Sequence, residues 1–262
     1  MNIQEIRHNI KAIVMFTLDR RPERKWAWLG AIKSQRVPDD CIHIMSAMDG
    51  AAYSDIDTLV DAVVDDGFPW FEVFKDSQWS GPEHPHSKQG NLATTWSFLR
   101  AFRKVIKLDV LSIVMVDNYF LGKGWWFFGQ LVKGLEDLRI LQLHHWDSRK
   151  HPNPEFRNDN FPRVRWYPDE VQKDISRGLA GAGDSVIMVS PAGAQQIIDW
   201  SAEQPYFLIE NLLWHFAHEG PHPGCYSIVK TGYEEWADGR IFLQHWTGAS
   251  DSDRTQINKM EN

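Results

Sequence analysis

The chain has 262 residues, of which 43% are hydrophobic, 13% aromatic and 24% charged, with a formal net charge of −7. This composition is typical of a folded globular protein and excludes the disordered, collagen-like and coiled-coil classes. No apolar run is long enough to span a membrane, and the first residues lack the order of a signal peptide, so we expect a soluble, cytoplasmic protein. The two cysteines, Cys41 and Cys225, are too few for a disulfide framework, and we expect both to be buried thiols.

The first fifty residues have the pattern of a βαβ unit. The apolar run from Lys11 to Leu18 predicts a buried strand, and Pro22 suits the first turn of a helix that continues to about Gln35. A second predicted strand, Cys41 to Ser46, precedes the turn signal Asp49-Gly50. Because strand, helix and strand in this order imply a parallel sheet, we expect a ligand at the carboxyl ends of these strands.

The rest of the chain continues to alternate helices and strands. Before residue 120, the patterns predict a helix from Ser54 to Asp66, a strand from Trp70 to Lys75, a loop from Asp76 to Gly90, a helix from Asn91 and a buried strand from Val110 to Val116. From residue 123 to residue 168, they predict a helix from Lys123 to Asp137, a strand from Arg139 to His144 and a loop from Trp146 to Pro168. After that loop, they predict a strand from Ser185 to Val189, a helix from Ala192 to Trp200 capped by Ser190 and a helix from Pro205 through Phe216. The last predicted strands are Cys225 to Ile228 and Ile241 to Gln244. This alternation predicts a single α/β domain.

The sequence contains 13 tryptophans. An excess of tryptophan indicates either a heavily aromatic core or faces that stack on bases and sugars, and composition leaves both open. Trp26, Trp28 and Trp96 fall on predicted helices and fit a core. The others that we single out lie in or beside loops near predicted strand ends and fit a ligand cleft: Trp79, Trp146, Trp166 and Trp246.

Asp117 directly follows the predicted strand that ends at Val116. The last side chains of a strand in a parallel sheet point into the ligand crevice, so Asp117 is placed to hold a divalent metal or a ribose. Asn118 adds an amide oxygen, which can also be a metal ligand. A turn or N-cap carboxylate would have the same sequence pattern.

Four segments in this order resemble the lipooligosaccharide-type family 25 glycosyltransferases: Thr17 to Arg24, Gly90 to Arg103, Ile113 to Asn118 and Gly183 to Ala194. The resemblance covers roughly residues 11 to 215. It implies a GT-A-like nucleotide-binding α/β fold with a mostly parallel central sheet flanked by helices. Within one domain, residues 1–120 would form a nucleotide-binding half, 121–248 an acceptor-side half and 249–262 a polar tail.

The resemblance also implies a donor site and a metal. Enzymes of this kind bind a nucleotide-diphosphate sugar near the first strand, and a carboxylate motif holds a divalent ion, Mn²⁺ or Mg²⁺, that neutralises the diphosphate leaving group. Asp117 takes the metal-binding position, whereas Asn118 stands where the family usually has a second carboxylate. We expect the donor site to contain Thr17, Asp19, Arg20, Asp49 and Asn118.

Three further residues are candidates for the chemistry. Glu210 lies inside an apolar helix pattern, and by resemblance it is the candidate general base for the acceptor hydroxyl in an inverting reaction; a structural glutamate bonded to a neighbouring loop fits equally. Asp184 follows Gly181-Ala182-Gly183, whose glycines allow close backbone approach, and it would contact donor-sugar hydroxyls. His245 follows the last predicted strand and is a candidate metal or diphosphate ligand, with a structural histidine as the alternative.

The leading hypothesis is therefore a glycosyltransferase that moves a hexosyl or pentosyl group from a nucleotide-diphosphate sugar, expected to be a UDP-sugar, to a hydroxyl acceptor. The acceptor is either a saccharide or a hydroxymethylated base in DNA, as in viral, phage-type base-modifying enzymes, which would act in the host cytoplasm. The DNA alternative is motivated by the basic segment from Arg100 to Lys107 and by the basic residues between Arg149 and Lys173. A third hypothesis, motivated by Asn118, is a catalytically inactive scaffold that binds nucleotide sugars.

Overall fold

The computed structural model describes residues 11–75, 88–122, 132, 135–144, 175–177, 179, 186–220, 224–228 and 243–245. The strands are β1 (Ala12–Thr17), β2 (Ile42–Ser46), β3 (Ser112–Val116), β4 (Tyr119–Leu121), β5 (Ile140–Gln142), β6 (Ile175–Arg177), β7 (Val186–Val189), β8 (Cys225–Ile228) and β9 (Leu243–His245). The helices are α1 (Pro22–Ser34), α2 (Ile56–Asp65), α3 (Lys88–Leu108), α4 (Pro191–Glu203) and α5 (Ile209–His218). Short 3₁₀ helices cover Asp39–Cys41, Gly50–Ala52 and Pro69–Phe74.

A seven-stranded sheet with the order β2-β1-β3-β7-β5-β8-β6 forms the centre of the molecule. The pairings of β1 with β2, of β1 with β3 and of β5 with β8 are parallel, and those of β7 with β3 and β5 and of β6 with β8 are antiparallel. Five of the seven strands therefore run in one direction, and β6 and β7 run in the other. The predicted fold class, α/β with a mostly parallel central sheet flanked by helices, is confirmed.

Strand β1 is buried along its whole length, because helices cover both faces of the sheet. Successive side chains of a strand point to opposite faces. Val14 and Phe16 pack on one face with residues of helices α2 to α5. Ile13 and Met15 pack on the other face with Trp28 and Ile32 of α1. The βαβ unit predicted from the first fifty residues is thus present, with β1 and β2 side by side and parallel.

Several local predictions need correction. The residues predicted as the strand Trp70 to Lys75 belong mostly to a 3₁₀ helix that begins at Pro69, since proline favours the first turn of a helix and residues three apart share one side of a 3₁₀ helix. Phe71 and Phe74 are such a pair, with ring centroids 5.4 Å apart. Helix α3 begins before the predicted Asn91, and helix α5 begins after the predicted Pro205.

Two predictions of burial also fail. Trp26 is not a core residue, since 67% of it is exposed, whereas Trp28 and Trp96 are buried as expected. Cys41 is only partly buried, and Cys225 is buried. Both cysteines are free thiols.

Part of the prediction lies outside the described residues. This applies to Trp79, Trp146, Trp166 and Trp246, to the loop from Trp146 to Pro168, and to most of the helix predicted from Lys123 to Asp137, whose residues 136 and 137 form a turn instead. Within the described part of the chain, none of the helices combines the length and the apolar character that a membrane span requires.

Candidate functional site

Polar side chains converge where the three neighbouring strands β2, β1 and β3 end. Thr17 is the last residue of β1 and is paired with Ser46, the last residue of β2. Asp117 follows the last residue of β3 directly. Because these strands are parallel and adjacent, all three residues lie at the same edge of the sheet. This is the edge at which we expect a ligand from the sequence.

Two side chains fix the carboxylate of Asp117. The Thr17 hydroxyl donates a hydrogen bond of 2.6 Å to Oδ2, and Nη1 of Arg24 lies 3.5 Å from Oδ1. All three residues are buried, with exposed fractions of 3% for Thr17, 6% for Arg24 and 7% for Asp117. Since each carboxylate oxygen has two lone pairs, Asp117 can still accept a further ligand.

Arg24 is a member of this site that the sequence-based prediction of the site residues missed. It lies in the first turn of α1, which begins with Pro22, and it forms one buried stripe with Trp28 and Ile32 at a spacing of four residues. A charged residue on such a stripe is unusual unless it is paired. This pattern could have identified Arg24 as a candidate site residue from the sequence. Burial lowers the pKa of the Arg24 guanidinium, and the charge of Asp117 opposes that decrease.

Asn118 provides an unpaired acceptor next to Asp117. Its Oδ1 atom is buried and has no hydrogen-bond partner among the described residues. Buried polar atoms are nearly always paired, so an exception calls for an explanation such as a bound ligand or ion. Asn118 therefore fits the predicted role of an amide-oxygen ligand at the end of β3.

The other predicted donor residues connect the loops that follow β1 and β2. Ser46 donates a hydrogen bond of 2.8 Å from its hydroxyl to Asp19. Arg20 Nε donates one of 2.6 Å to Oδ2 of Asp49, and Oδ1 of Asp49 accepts from the backbone N–H of Ala51 at 3.1 Å. An exposed ion pair of this kind contributes little to stability, so its main structural effect is to orient the two loops.

Gly50 holds the second of these loops against helix α3. A Cβ atom at Gly50 would lie 2.5 Å from the backbone carbonyl carbon and oxygen of Gln89, in the first turn of α3. No side chain fits into that space. The position of Asp49 therefore depends on a glycine at the next residue.

A two-stranded ribbon brings His245 to the region of Asp117. Strand β4 begins at Tyr119 and pairs with β9 in an antiparallel register that places Tyr119 opposite His245. The Tyr119 hydroxyl also makes a hydrogen bond of 2.9 Å with Nε2 of the fully buried His144, which anchors β4. The backbone of His245 therefore lies opposite a residue two positions after Asp117, and the pairing of Asp117 and His245 as metal ligands stays a prediction.

Two oxygen-bearing side chains at the end of β3 are candidate ligands for a divalent cation. Among the described residues no group of three or more His, Cys, Asp or Glu could hold a metal ion. Near the end of β3 there are one carboxylate, Asp117, and one unpaired amide oxygen, on Asn118. Hard cations such as Mg²⁺ accept one or two such ligands and take the others from substrate phosphates and water.

Glu210 lies in the first turn of α5, where Leu208 gives no side-chain cap. It is partly buried rather than enclosed in the core. A carboxylate in the first turn also interacts favourably with the helix dipole, so the structural explanation remains and its role as general base stays a prediction. Asp184, the predicted contact to the donor-sugar hydroxyls, lies outside the described residues.

The basic segment that motivated a DNA acceptor is partly used within the fold. The guanidinium of Arg103 lies 3.6 Å from the centroid of the Phe68 ring. It donates hydrogen bonds to the carbonyl oxygens of Asp66 and Gly67 at 2.6 and 2.7 Å. Arg100 Nε lies 3.6 Å from the carboxylate of Asp66. Both arginines therefore contact the end of α2.

No protein-family model matches the chain, and no curated protein matches it. The resemblance to family 25 is therefore not confirmed by a family match. One similar solved structure is that of a glycosyltransferase involved in the glycosylation of the major capsid of PBCV-1. The identity is 8%, the TM-score is 0.43, and the match covers 95% of this chain and 98% of that one.

Proposed function

We propose that the protein is a glycosyltransferase that moves a hexosyl or pentosyl group from a nucleotide-diphosphate sugar, a UDP-sugar, to a hydroxyl acceptor. The observation that carries this proposal is the buried carboxylate of Asp117, which Thr17 and Arg24 hold at the edge where β1 and β3 end and which the unpaired Oδ1 of Asn118 follows in the chain. A carboxylate held in a fixed orientation beside an unpaired amide oxygen suits a cation and the diphosphate it binds.

The donor binds along the carboxyl ends of β1, β2 and β3 in this proposal. Ligands of open α/β sheets occupy this position. The nucleoside lies by Asp19, Arg20 and Asp49, which the hydrogen bonds between the two loops hold together. The diphosphate lies by Asp117 and Asn118, with His245 contributing from β9.

Transfer breaks the bond between the anomeric carbon and the diphosphate oxygen and forms a bond from that carbon to the acceptor oxygen. A divalent ion, Mn²⁺ or Mg²⁺, would supply the positive charge that stabilises the leaving diphosphate. Glu210 accepts the proton of the acceptor hydroxyl as general base, and Asp184 binds hydroxyls of the donor sugar. Thr17 and Arg24 keep Asp117 in one orientation throughout.

We propose a saccharide hydroxyl as the acceptor. A DNA acceptor would need basic side chains available for phosphates, but two of the four basic residues from Arg100 to Lys107, Arg100 and Arg103, are bound to the end of α2. DNA carrying hydroxymethylated bases is the alternative acceptor, and the acceptor assay must include it.

The experiment is a donor screen that measures released nucleoside diphosphate in the presence of Mn²⁺ or Mg²⁺, with saccharide acceptors and hydroxymethylated DNA in parallel. The proposal predicts release with at least one UDP-sugar and a loss of at least about 100-fold in Asp117→Ala. Asp199→Ala, at an exposed position of α4, is the matched control and should remain active. Donor binding without turnover under any condition would favour the inactive scaffold, and the absence of both would reject the proposal.

A further inference from the structure

The ion pair between Arg24 and Asp117 is the most enclosed charged pair at the site. Both residues are less than 10% exposed, and the pair joins the first turn of α1 to the end of β3. A buried ion pair is often no more stabilising than a well-packed apolar pair. Stability alone therefore does not account for an arginine at this position.

The pair also determines the electrostatics of the candidate metal site. Asp117 carries one negative charge, Arg24 one positive charge, and Asn118 none. Besides Asp117, the charges that act on Arg24 are those of Arg21 and Glu23, and these two side chains form an ion pair with each other. Among the described residues, the groups bonded to Asp117 therefore leave little net charge to attract a divalent cation, and a diphosphate would supply the missing negative charge.

We propose that Arg24 is a positioning residue that makes metal binding at Asp117 depend on the nucleoside diphosphate. This inference rests on the proposed function. The guanidinium offsets the charge of Asp117, so that the cation binds well only together with the diphosphate. Removal of the positive charge leaves a full carboxylate charge and allows the cation to bind alone.

Mn²⁺ binding measured by electron paramagnetic resonance tests the proposal without turnover. The affinity of the wild-type protein for Mn²⁺ is determined alone and with UDP, and binding of Mn²⁺ to UDP without protein is subtracted. We expect UDP to increase the affinity for Mn²⁺ by about 5- to 150-fold, the usual range of coupling between two sites. Arg24→Met should bind Mn²⁺ alone at least about tenfold more tightly than wild type and show a smaller effect of UDP.

Two variants serve as controls. Arg24→Lys keeps the positive charge and should keep the dependence on UDP. Lys33→Met makes the same change of net charge at an exposed position of α1 and should behave like wild type. If Lys33→Met binds Mn²⁺ alone as tightly as Arg24→Met does, the effect is one of overall charge and the proposal is wrong.

The wild-type measurement can overturn the inference even where Arg24→Met does not fold. Equal Mn²⁺ affinity with and without UDP would overturn the inference and leave the proposed function standing. If UDP and UDP-sugars bind neither with nor without Mn²⁺, the proposed function and the inference fall together. Arg24→Gln, a shorter neutral side chain, provides a second test of the missing charge.

Discussion

Thr17 and Asp117 are 100 positions apart in the chain, and the Thr17 hydroxyl donates a 2.6 Å hydrogen bond to Oδ2 of Asp117. The bond is possible because β1 and β3 are parallel neighbours whose last residues lie at the same edge. It orients the carboxylate that we place at the centre of the site. Five testable predictions rest on this arrangement and on other contacts of the described residues.

Replacement of Thr17 by valine should destabilise the protein and weaken donor binding. The substitution leaves a buried carboxylate oxygen without its donor, which costs about 1–3 kcal/mol. Urea-induced unfolding measures the change, and Thr17→Ser should recover most of it because it keeps the hydroxyl. Thr58→Val, at an exposed position of α2, is the control. Equal stability of the valine and serine variants would show that the hydrogen bond is unimportant.

A double-mutant cycle should reveal strong coupling between Arg24 and Asp117. Arg24→Met or Asp117→Asn alone leaves the other group buried without its partner, with an expected loss of about 3 kcal/mol. The double variant should lose less than the sum of the two, with a coupling free energy of about 1–3 kcal/mol. Additive losses within experimental error would contradict the pairing seen in the structure.

Gly50→Ala should lower both stability and donor affinity. The new Cβ atom would overlap with the Gln89 backbone, and such overpacking costs about 1–3 kcal/mol. The loop must shift, and Asp49 moves with it. Gly30→Ala is the matched control, because no atom lies within 4 Å of a Cβ atom there. Gly30 is inside α1, so alanine should stabilise that helix by about 0.5–1 kcal/mol. A Gly50→Ala protein as stable as wild type would refute the close approach.

Cys225 should resist alkylation in the native protein. Burial raises the pKa of its thiol to about 12, so at pH 8 it carries almost no thiolate, which is the reactive form. Burial also raises the pKa of Cys41, but that residue is partly exposed and should react first. Mass spectrometry of peptides after iodoacetamide treatment reports the order. In 6 M guanidinium the two cysteines should react at similar rates, and faster labelling of Cys225 in the native state would contradict the prediction.

The same pKa shift has a consequence for stability above pH 9. A thiol whose pKa is higher in the folded state binds its proton more tightly there, so its contribution is fully present below the unfolded value of about 9 and is lost as the pH rises toward about 12. Cys225→Ala should therefore show a smaller loss of unfolding free energy than wild type between pH 9 and 11. An unchanged slope would indicate that Cys225 is accessible to base.

The position of Asp117 could be predicted because it depends on a local pattern. A run of apolar residues predicts a buried strand, and the next polar residue marks its end. The βαβ unit and the cap at Ser190, whose Oγ accepts from the Gly193 N–H, depend on equally short segments. Such features are determined by residues close together in the sequence.

The remaining members of the site depend on contacts between distant segments. The partner of Arg24 is 93 positions away in the chain, and no pattern in the sequence around Arg24 predicts which residue it is. Strand β4 has three residues, which is too short for a period of two to be recognised. The strand predicted at Ile241 to Gln244 overlaps β9, but the sequence does not show that its partner is β4. Their pairing, which positions His245, follows from the tertiary structure alone.

The reversed direction of β7 has a consequence for how two substrates could meet. Val186, the first residue of β7, is paired with Met115 near the end of β3, so the chain enters β7 at the edge that carries Thr17 and Asp117. Strand β5 runs parallel to β1, and His144 follows its end at the same edge. Strands β3 and β5, which lie on either side of β7, therefore end at the same edge of the sheet. In the proposed reaction, a donor at the end of β3 and an acceptor at the end of β5 would therefore lie at one edge of the sheet.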